Sequence, residues 1–145
     1  MREIPHLKIH LISISWVAVL ITFPMVNEEW FTDILNYSIA HYLYVLAVTI
    51  PFDIRDLKYD FKEHRTIPQV LGVKASKALS LALLVSFVAI MGYTNCDLLF
   101  NWSFYGAVLA QVALVLFMTE NRSDLYCAGL IDGSIALLGL SYFLI

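Results

Sequence analysis

The chain has 145 residues, of which 60% are hydrophobic and 14% are charged, and its formal net charge is −3. A soluble domain contains about 45–50% apolar and about 25% charged residues, so this chain carries more apolar surface than a globule of its size can bury. The negative charge argues against nucleic acid as a partner, because phosphate binding needs a basic surface. The composition therefore predicts an integral membrane protein.

The apolar residues fall into five stretches. In chain order these are residues 9–26, 34–52, 78–93, 102–118 and 126–145. A membrane-spanning helix needs roughly 17–25 residues, and the stretches reach or approach that length. Backbone polar groups in hydrocarbon must be paired internally, which excludes open sheets. The sequence thus predicts an all-α, polytopic transmembrane bundle of five spans, forming one domain over residues 1–145 with its longest loop at 53–77.

The positions of the basic residues predict how the bundle is oriented in the membrane. With five spans, all nine Lys and Arg residues lie on one side of the membrane: Arg2, Lys8, Arg55, Lys58, Lys62, Arg65, Lys74, Lys77 and Arg122. Cytoplasmic loops are enriched in Lys and Arg. We therefore expect a multi-pass protein of a bacterial inner or plasma membrane, with the N-terminus and the 53–77 loop in the cytoplasm and the C-terminus outside.

The 53–77 loop begins with a patterned run of charges. If the second helix continues past Pro51, four acids share an arc of about 80° and four bases lie nearly opposite. The acids are Asp53, Asp56, Asp60 and Glu63, and the bases are Arg55, Lys58, Lys62 and Arg65. Like charges at this spacing repel, so the acidic face favours a compensating cation. Mg²⁺ with a diphosphate fits such carboxylates, while a solvated cytoplasmic loop is the alternative interpretation.

Three consecutive pieces of this region carry a resemblance to a known family. They are Asp53-Ile-Arg-Asp-Leu-Lys-Tyr-Asp60, Arg65-Thr66 and Val70-Leu-Gly72. Together they resemble the second aspartate-rich motif of the UbiA-type intramembrane prenyltransferases, most closely the quinone-pathway branch. The resemblance implies a nine-helix bundle whose last five helices are those of this chain. It also implies a transferase that moves an isoprenoid chain from a prenyl diphosphate to a lipophilic, often aromatic, acceptor with Mg²⁺ as cofactor.

The resemblance assigns roles to six residues. Asp53, Asp56 and Asp60 would bind Mg²⁺, with Asp56 and Asp60 as the catalytic pair. Arg55, Lys62 and Arg65 would bind the diphosphate. The family's first aspartate-rich motif has no counterpart here, so we expect a missing N-terminal half or a partner chain. The alternative is a non-catalytic membrane protein, either a degenerate half-domain or a subunit.

Three polar residues lie deeper in the predicted spans. Asp132 is expected to face the bundle interior, because a charged carboxylate facing lipid costs at least about 2.5–3.5 kcal/mol. Gln111 and His41 are candidates for lining a substrate cavity together with Asp132. For Gln111 and His41, hydrogen bonding between helices is the competing interpretation.

Overall fold

The computed structural model describes residues 7–26, 31–58, 66–123 and 125–142, and every regular element in these ranges is helical. The helices are α1 (Leu7–Met25), α2 (Phe31–Asp56), α3 (Ile67–Leu71), α4 (Val73–Thr94), α5 (Trp102–Leu116) and α6 (Leu125–Tyr142). A short 3-10 helix, Cys96–Phe100, joins α4 to α5. The prediction of an all-α chain is confirmed.

The helix lengths differ from the predicted spans. Helices α1, α2, α4 and α6 are long and apolar enough to cross a membrane, whereas α5 has only 15 residues. Helix α2 continues to Asp56, beyond the predicted end at residue 52, and α4 begins at Val73 rather than at residue 78. The apolar pattern missed these turns because they are helical but polar, so hydropathy marks the membrane portion of a helix and not its ends.

Helices α2, α4, α5 and α6 run antiparallel in chain order. Between α2 and α4, the Ser80 hydroxyl donates to the Ala47 carbonyl, while Phe87, further along α4, packs on His41, earlier in α2. Helices α4 and α5 show the same reversed order, because Lys77 contacts Leu116 whereas Phe87, later in α4, contacts Phe104, earlier in α5. Helices α5 and α6 show it too, because Asn101 contacts Ser141 and Gln111 contacts Ser134. The four helices form an up-and-down bundle.

Helix α1 joins the bundle differently. His10 Nδ1 lies 2.5 Å from the Tyr42 hydroxyl, and the hydroxyls of Thr22 and Ser38 are 2.9 Å apart. These contacts join both ends of α1 to the first half of α2, and α1 packs mainly on that helix. Only 17% of the residues in the apolar segment of α1 are buried. Most of α1 therefore presents apolar side chains outward.

An aromatic cluster holds the four antiparallel helices together. Phe87 of α4 is at its centre, with ring centroids 5.6 Å from His41, 5.0 Å from Tyr44 and 5.9 Å from Phe104. Tyr142 of α6 closes the cluster at 5.8 Å from His41. Offset and edge contacts at these distances are favourable beyond simple burial. This cluster is the core that fixes how the helices pack.

The outer surface of the bundle is apolar. Exposed residues on it include Val85, Leu109, Leu116, Leu137 and Leu140. Tyr93, Phe100 and Trp102, each more than 80% exposed, lie together where α4 ends and α5 begins, which is typical of an aromatic belt at a membrane interface. A monomer in water rarely exposes apolar surface of this extent. The long apolar helices fit a multi-pass membrane protein.

A proline lies within α2, close to its charged end. Pro51 has no backbone N–H, so it leaves the Ala47 carbonyl one turn earlier without its usual helical partner. The Ser80 hydroxyl of α4 donates a 2.7 Å hydrogen bond to that carbonyl, and Ser80 is fully buried. This bond gives the Ala47 carbonyl the hydrogen-bond donor that Pro51 lacks. Helix α2 can therefore continue for five residues past the proline and carry Asp53 and Asp56.

The loop returns to the bundle through the short helix α3. The Thr66 backbone N–H donates to the Gln69 side chain at 3.1 Å, which caps the start of α3. Gly72 separates α3 from α4 with φ +81° and ψ 161°, a conformation that residues with a Cβ rarely adopt. Helix α3 contacts both α2 and α4, so this turn keeps the returning chain beside the end of α2.

The described basic residues of the antiparallel bundle gather at one end. Arg55 and Lys58 follow the last apolar turn of α2, Lys74 and Lys77 are in the first turns of α4, and Arg122 follows α5. The exposed Asp97 lies at the opposite end, in the 3-10 helix. This arrangement agrees with the predicted grouping of charge. Which end faces the cytoplasm stays a prediction.

Thiol labelling tests that orientation. Cys96 is exposed at the Asp97 end, whereas Cys127 is buried. We expect a membrane-impermeant maleimide added to intact cells to label Cys96. In a Cys96→Ser background, Asn121→Cys, at an exposed position of the other end, should react only after permeabilisation. The reverse pattern would invert the topology.

Candidate functional site

The first two aspartates of the motif lie in the last turn of α2. Asp53 and Asp56 are three residues apart on the helix, so their Cα atoms differ by about 4.5 Å in rise and share one face. Asp53 is only 7% exposed, while Asp56 is partly exposed. The helical continuation past Pro51 that the charge pattern required is present as far as Asp56.

Arg55 connects the acidic and basic sides of this turn. Its Nε donates a 2.7 Å hydrogen bond to Asp56 Oδ1, and its guanidinium lies 5.6 Å from the centroid of the Phe52 ring. The sequence pattern placed acids and bases on nearly opposite faces, so this pair is a departure from it. A partly exposed pair of this kind contributes about 0–1 kcal/mol. Arg55 can therefore exchange Asp56 for a stronger anionic partner at little cost.

The remaining motif residues, Asp60, Lys62 and Arg65, lie outside the described residues. Within the described ranges, no group of three or more His, Cys, Asp or Glu side chains is placed to hold a metal ion. Mg²⁺ is commonly bound by one or two carboxylates, with substrate phosphates and water as its other ligands. The oxygen donors of Asp53 and Asp56 fit that chemistry.

Asp132 does not face the bundle interior. It is exposed where the first, π-helical part of α6 (Leu125–Ile131) gives way to the α-helical part, and the expectation that it points inward is wrong. The expectation rested on the cost of a charged carboxylate in contact with lipid. That cost is avoided where water, headgroups or another chain reaches the side chain, so it does not by itself fix which way Asp132 faces. Its inward neighbours are Ile131 and Ser134, which are buried.

His41 is hydrogen-bonded at both ring nitrogens, once within its own helix α2 and once to α6. Nδ1 lies 2.8 Å from the Tyr37 carbonyl, which can only accept, so Nδ1 carries the proton. In the neutral ring Nε2 then accepts from the Tyr142 hydroxyl of α6 at 3.1 Å. The contact with Tyr142 is a hydrogen bond between helices, as one of the two interpretations of the sequence expected, and a role in lining a substrate cavity stays a prediction.

Gln111 is the most completely buried of the three candidate residues in the predicted spans. Its side chain is fully buried, and its Oε1 accepts from the Ser134 hydroxyl of α6. The other end of the amide, Nε2, has no hydrogen-bond partner within the described part of the chain. Ser134 also lies beside the Tyr44 hydroxyl. Tyr44, Ser134 and Gln111 thus form a polar strip inside the bundle, at which an amide N–H group is available to an acceptor oxygen.

Comparison with known proteins identifies no relative of this chain. No protein-family model, no curated protein and no solved structure matches this chain.

Proposed function

We propose that this chain is part of a UbiA-type intramembrane prenyltransferase that transfers an isoprenoid chain from its diphosphate to a lipophilic, aromatic acceptor. The observation that carries the proposal is the end of α2. Ser80 supports the helix across Pro51, and the extension holds two carboxylates one turn apart, with Arg55 between them in sequence. In an apolar bundle, paired carboxylates beside a guanidinium suit a substrate that joins a metal-bound diphosphate to a long apolar chain.

In this proposal, the chain's own residues bind and orient the diphosphate. Asp53 and Asp56 hold the metal, and Asp60, by the motif resemblance, completes the acidic set. Arg55 leaves Asp56 to contact the diphosphate, and Lys62 and Arg65 add positive charge. When bound, Mg²⁺ would stabilise the negative charge that develops on the leaving diphosphate. The apolar bundle keeps water away from the allylic end of the prenyl chain.

The polar strip of Tyr44, Ser134 and Gln111 suits the acceptor. Gln111 Nε2 is a buried donor with no partner in the described part of the chain, and leaving such a group unsatisfied costs about 1–3 kcal/mol. A carbonyl or phenol oxygen of an aromatic acceptor would satisfy it. Ser134 orients the amide by donating to its other end.

A second candidate function is that of a non-catalytic subunit. The observation that favours it is Asp132, a carboxylate exposed on an otherwise apolar helix. A second chain that offers Asp132 a hydrogen-bond donor would remove the cost of its contact with lipid. In that case the Asp53 and Asp56 carboxylates would bind no prenyl diphosphate.

Equilibrium binding separates the two candidates. The purified chain in nanodiscs of zwitterionic lipid is mixed with radiolabelled farnesyl diphosphate, in Mg²⁺ or in EDTA. The proposal expects saturable binding in Mg²⁺ that is lost in EDTA, whether or not turnover needs a further chain. Equal retention in Mg²⁺ and EDTA would contradict the metal site and leave the subunit role as the better explanation.

A further inference from the structure

An open groove runs along the outer surface of the bundle between α5 and α6. Its volume is about 530 Å³, within the range of roughly 300–1,000 Å³ that is usual for small-molecule sites. Its walls are mostly apolar and include Ala110, Ala113, Phe117, Leu130, Gly133 and Leu137. The groove lies on the face that the surface pattern assigns to lipid, and it is separate from the Asp53 and Asp56 carboxylates.

Small residues keep this groove open. Ala110 and Ala113 line it from α5, and Gly129 and Gly133 line it from α6. A Cβ added at Gly133 would meet no atom within 4 Å, so this part of the wall is not filled by the facing helix. The two helices contact each other at the groove wall through Tyr126, which donates to the Leu114 carbonyl, and beyond the groove through Asn101, which donates to the Ser141 carbonyl.

Arg122 lines one end of the groove, and Lys77 of α4 lies close to it at the end of α5. Lys77 Nζ donates to the Leu116 carbonyl at 2.8 Å, and Arg122 Nε donates to the Phe117 carbonyl at 3.1 Å. The two side chains are thereby gathered at consecutive carbonyls, where α5 ends. Arg122 also lies 4.9 Å from the centre of the Tyr126 ring, which lines the groove. The end of α5 thus brings two cationic side chains together beside an apolar channel.

Both cations keep donors for a further ligand. An ammonium has three N–H donors and a guanidinium has five, and one of each is used by the carbonyls above. In the described ranges, neither Lys77 nor Arg122 forms an ion pair. Arginine is well suited to a phosphate because its planar fork binds two oxygens at once.

We propose that the groove binds an anionic phospholipid, with its phosphate at Lys77 and Arg122 and one acyl chain along α5 and α6. Charge complementarity selects this occupant. Basic pockets between membrane helices bind anionic headgroups, and an acyl chain suits walls that are mostly apolar and whose Ser134 hydroxyl is already hydrogen-bonded within the bundle. A helix of a second copy would fill the walls equally well but would place its backbone against two cations. The proposal depends on membrane insertion and not on prenyl transfer.

Native mass spectrometry in EDTA tests the headgroup contact. The purified chain is titrated with phosphatidylglycerol or phosphatidylcholine that carry the same acyl chains. We expect preferential retention of phosphatidylglycerol, and Lys77→Gln and Arg122→Gln should each lower that preference about five-fold, since a basic residue near anionic lipid contributes about one kcal/mol. Lys74→Gln, one turn away on α4 and exposed, should leave it unchanged. An equal loss with Lys74→Gln would indicate diffuse surface attraction and overturn the proposal.

Filling the groove tests the acyl-chain contact. Gly133→Leu adds a side chain to the wall and should lower retention of phosphatidylglycerol at least about ten-fold. Gly139→Leu is the matched control, because its Cβ also meets nothing within 4 Å but it does not line the groove. Circular dichroism checks that both variants stay helical. Unchanged retention in Gly133→Leu would overturn the proposal, as would a dimer that this substitution dissociates, since the occupant would then be a second copy.

Discussion

Replacing Asp56 with Asn should lower the affinity for farnesyl diphosphate in Mg²⁺ by about 10- to 100-fold, and Asp53→Asn should do the same. A carboxamide has the shape of the carboxylate but is a much weaker ligand for Mg²⁺, and even loss of an outer-shell partner costs about 10- to 100-fold at metal sites. Binding of the radiolabelled diphosphate in nanodiscs measures the effect. Asp97→Asn, at the opposite end of the bundle, is the control and should bind as the unmodified chain does.

The ion pair between Arg55 and Asp56 gives this experiment a second readout. In EDTA, Asp56→Asn releases Arg55 from its 2.7 Å partner, so any weak binding without metal should stay the same or increase. A purely structural role for Asp56 predicts equal losses in Mg²⁺ and EDTA. Such equal losses, or full Mg²⁺-dependent binding by both Asn variants, would contradict the metal assignment.

The second large effect concerns the hydrogen bond between Ser80 and Ala47. Ser80→Ala removes the donor and leaves the buried Ala47 carbonyl unsatisfied next to Pro51, which should lower the free energy of unfolding by about 1–3 kcal/mol. The penalty is larger where water cannot enter. Reversible denaturation in mixed micelles measures the change. Ser86→Ala is the matched control, because Ser86 lies on the same helix, is exposed and donates only to Ala82 within its own helix.

A double-mutant cycle identifies the cause. Pro51→Ala restores the backbone N–H that reaches the Ala47 carbonyl, so Ser80→Ala should cost much less in that background than in the unmodified chain. Equal costs in the two backgrounds would show that Ser80 acts by packing and not by replacing the bond that Pro51 removes. The cycle also tests what supports the candidate site, because the helical turn that contains Pro51 leads directly to Asp53.

Most of the helical architecture could be predicted from hydropathy, because five long apolar stretches leave few other solutions in a bilayer. The ends of α2 and α4 could not, since their terminal turns are polar and still helical. Asn101 illustrates a local signal that sequence does carry. Asparagine is a favoured N-cap residue, and the Asn101 side chain accepts from the backbone N–H groups of Ser103 and Phe104 at the start of α5.

Contacts between residues that are distant in the sequence could not be predicted from sequence patterns. Pro51 signalled a break in the helix, but nothing in the order of residues shows that Ser80 repairs it. Lys77 and Arg122 were seen only as positive charges on the same side, and their meeting at the end of α5 depends on how the helices pack. Asp132 was misplaced because its inward orientation was inferred only from the cost of a charge in lipid, which does not by itself fix how a residue is oriented on its helix. The metal and diphosphate roles of the motif stay predictions.

The short helix α5 has a consequence for the lipid around it. Its 15 residues rise about 22 Å, whereas the hydrocarbon core of a bilayer is about 30 Å thick. A span that is too short draws the two leaflets together around itself. Such a depression beside α5 would also bring the headgroups closer to Asp132 on the neighbouring α6, which directly follows the π-helical segment Leu125–Ile131 at the start of that helix. We therefore expect the membrane to be thinnest beside α5 and α6, where water can reach a carboxylate that α6 leaves exposed.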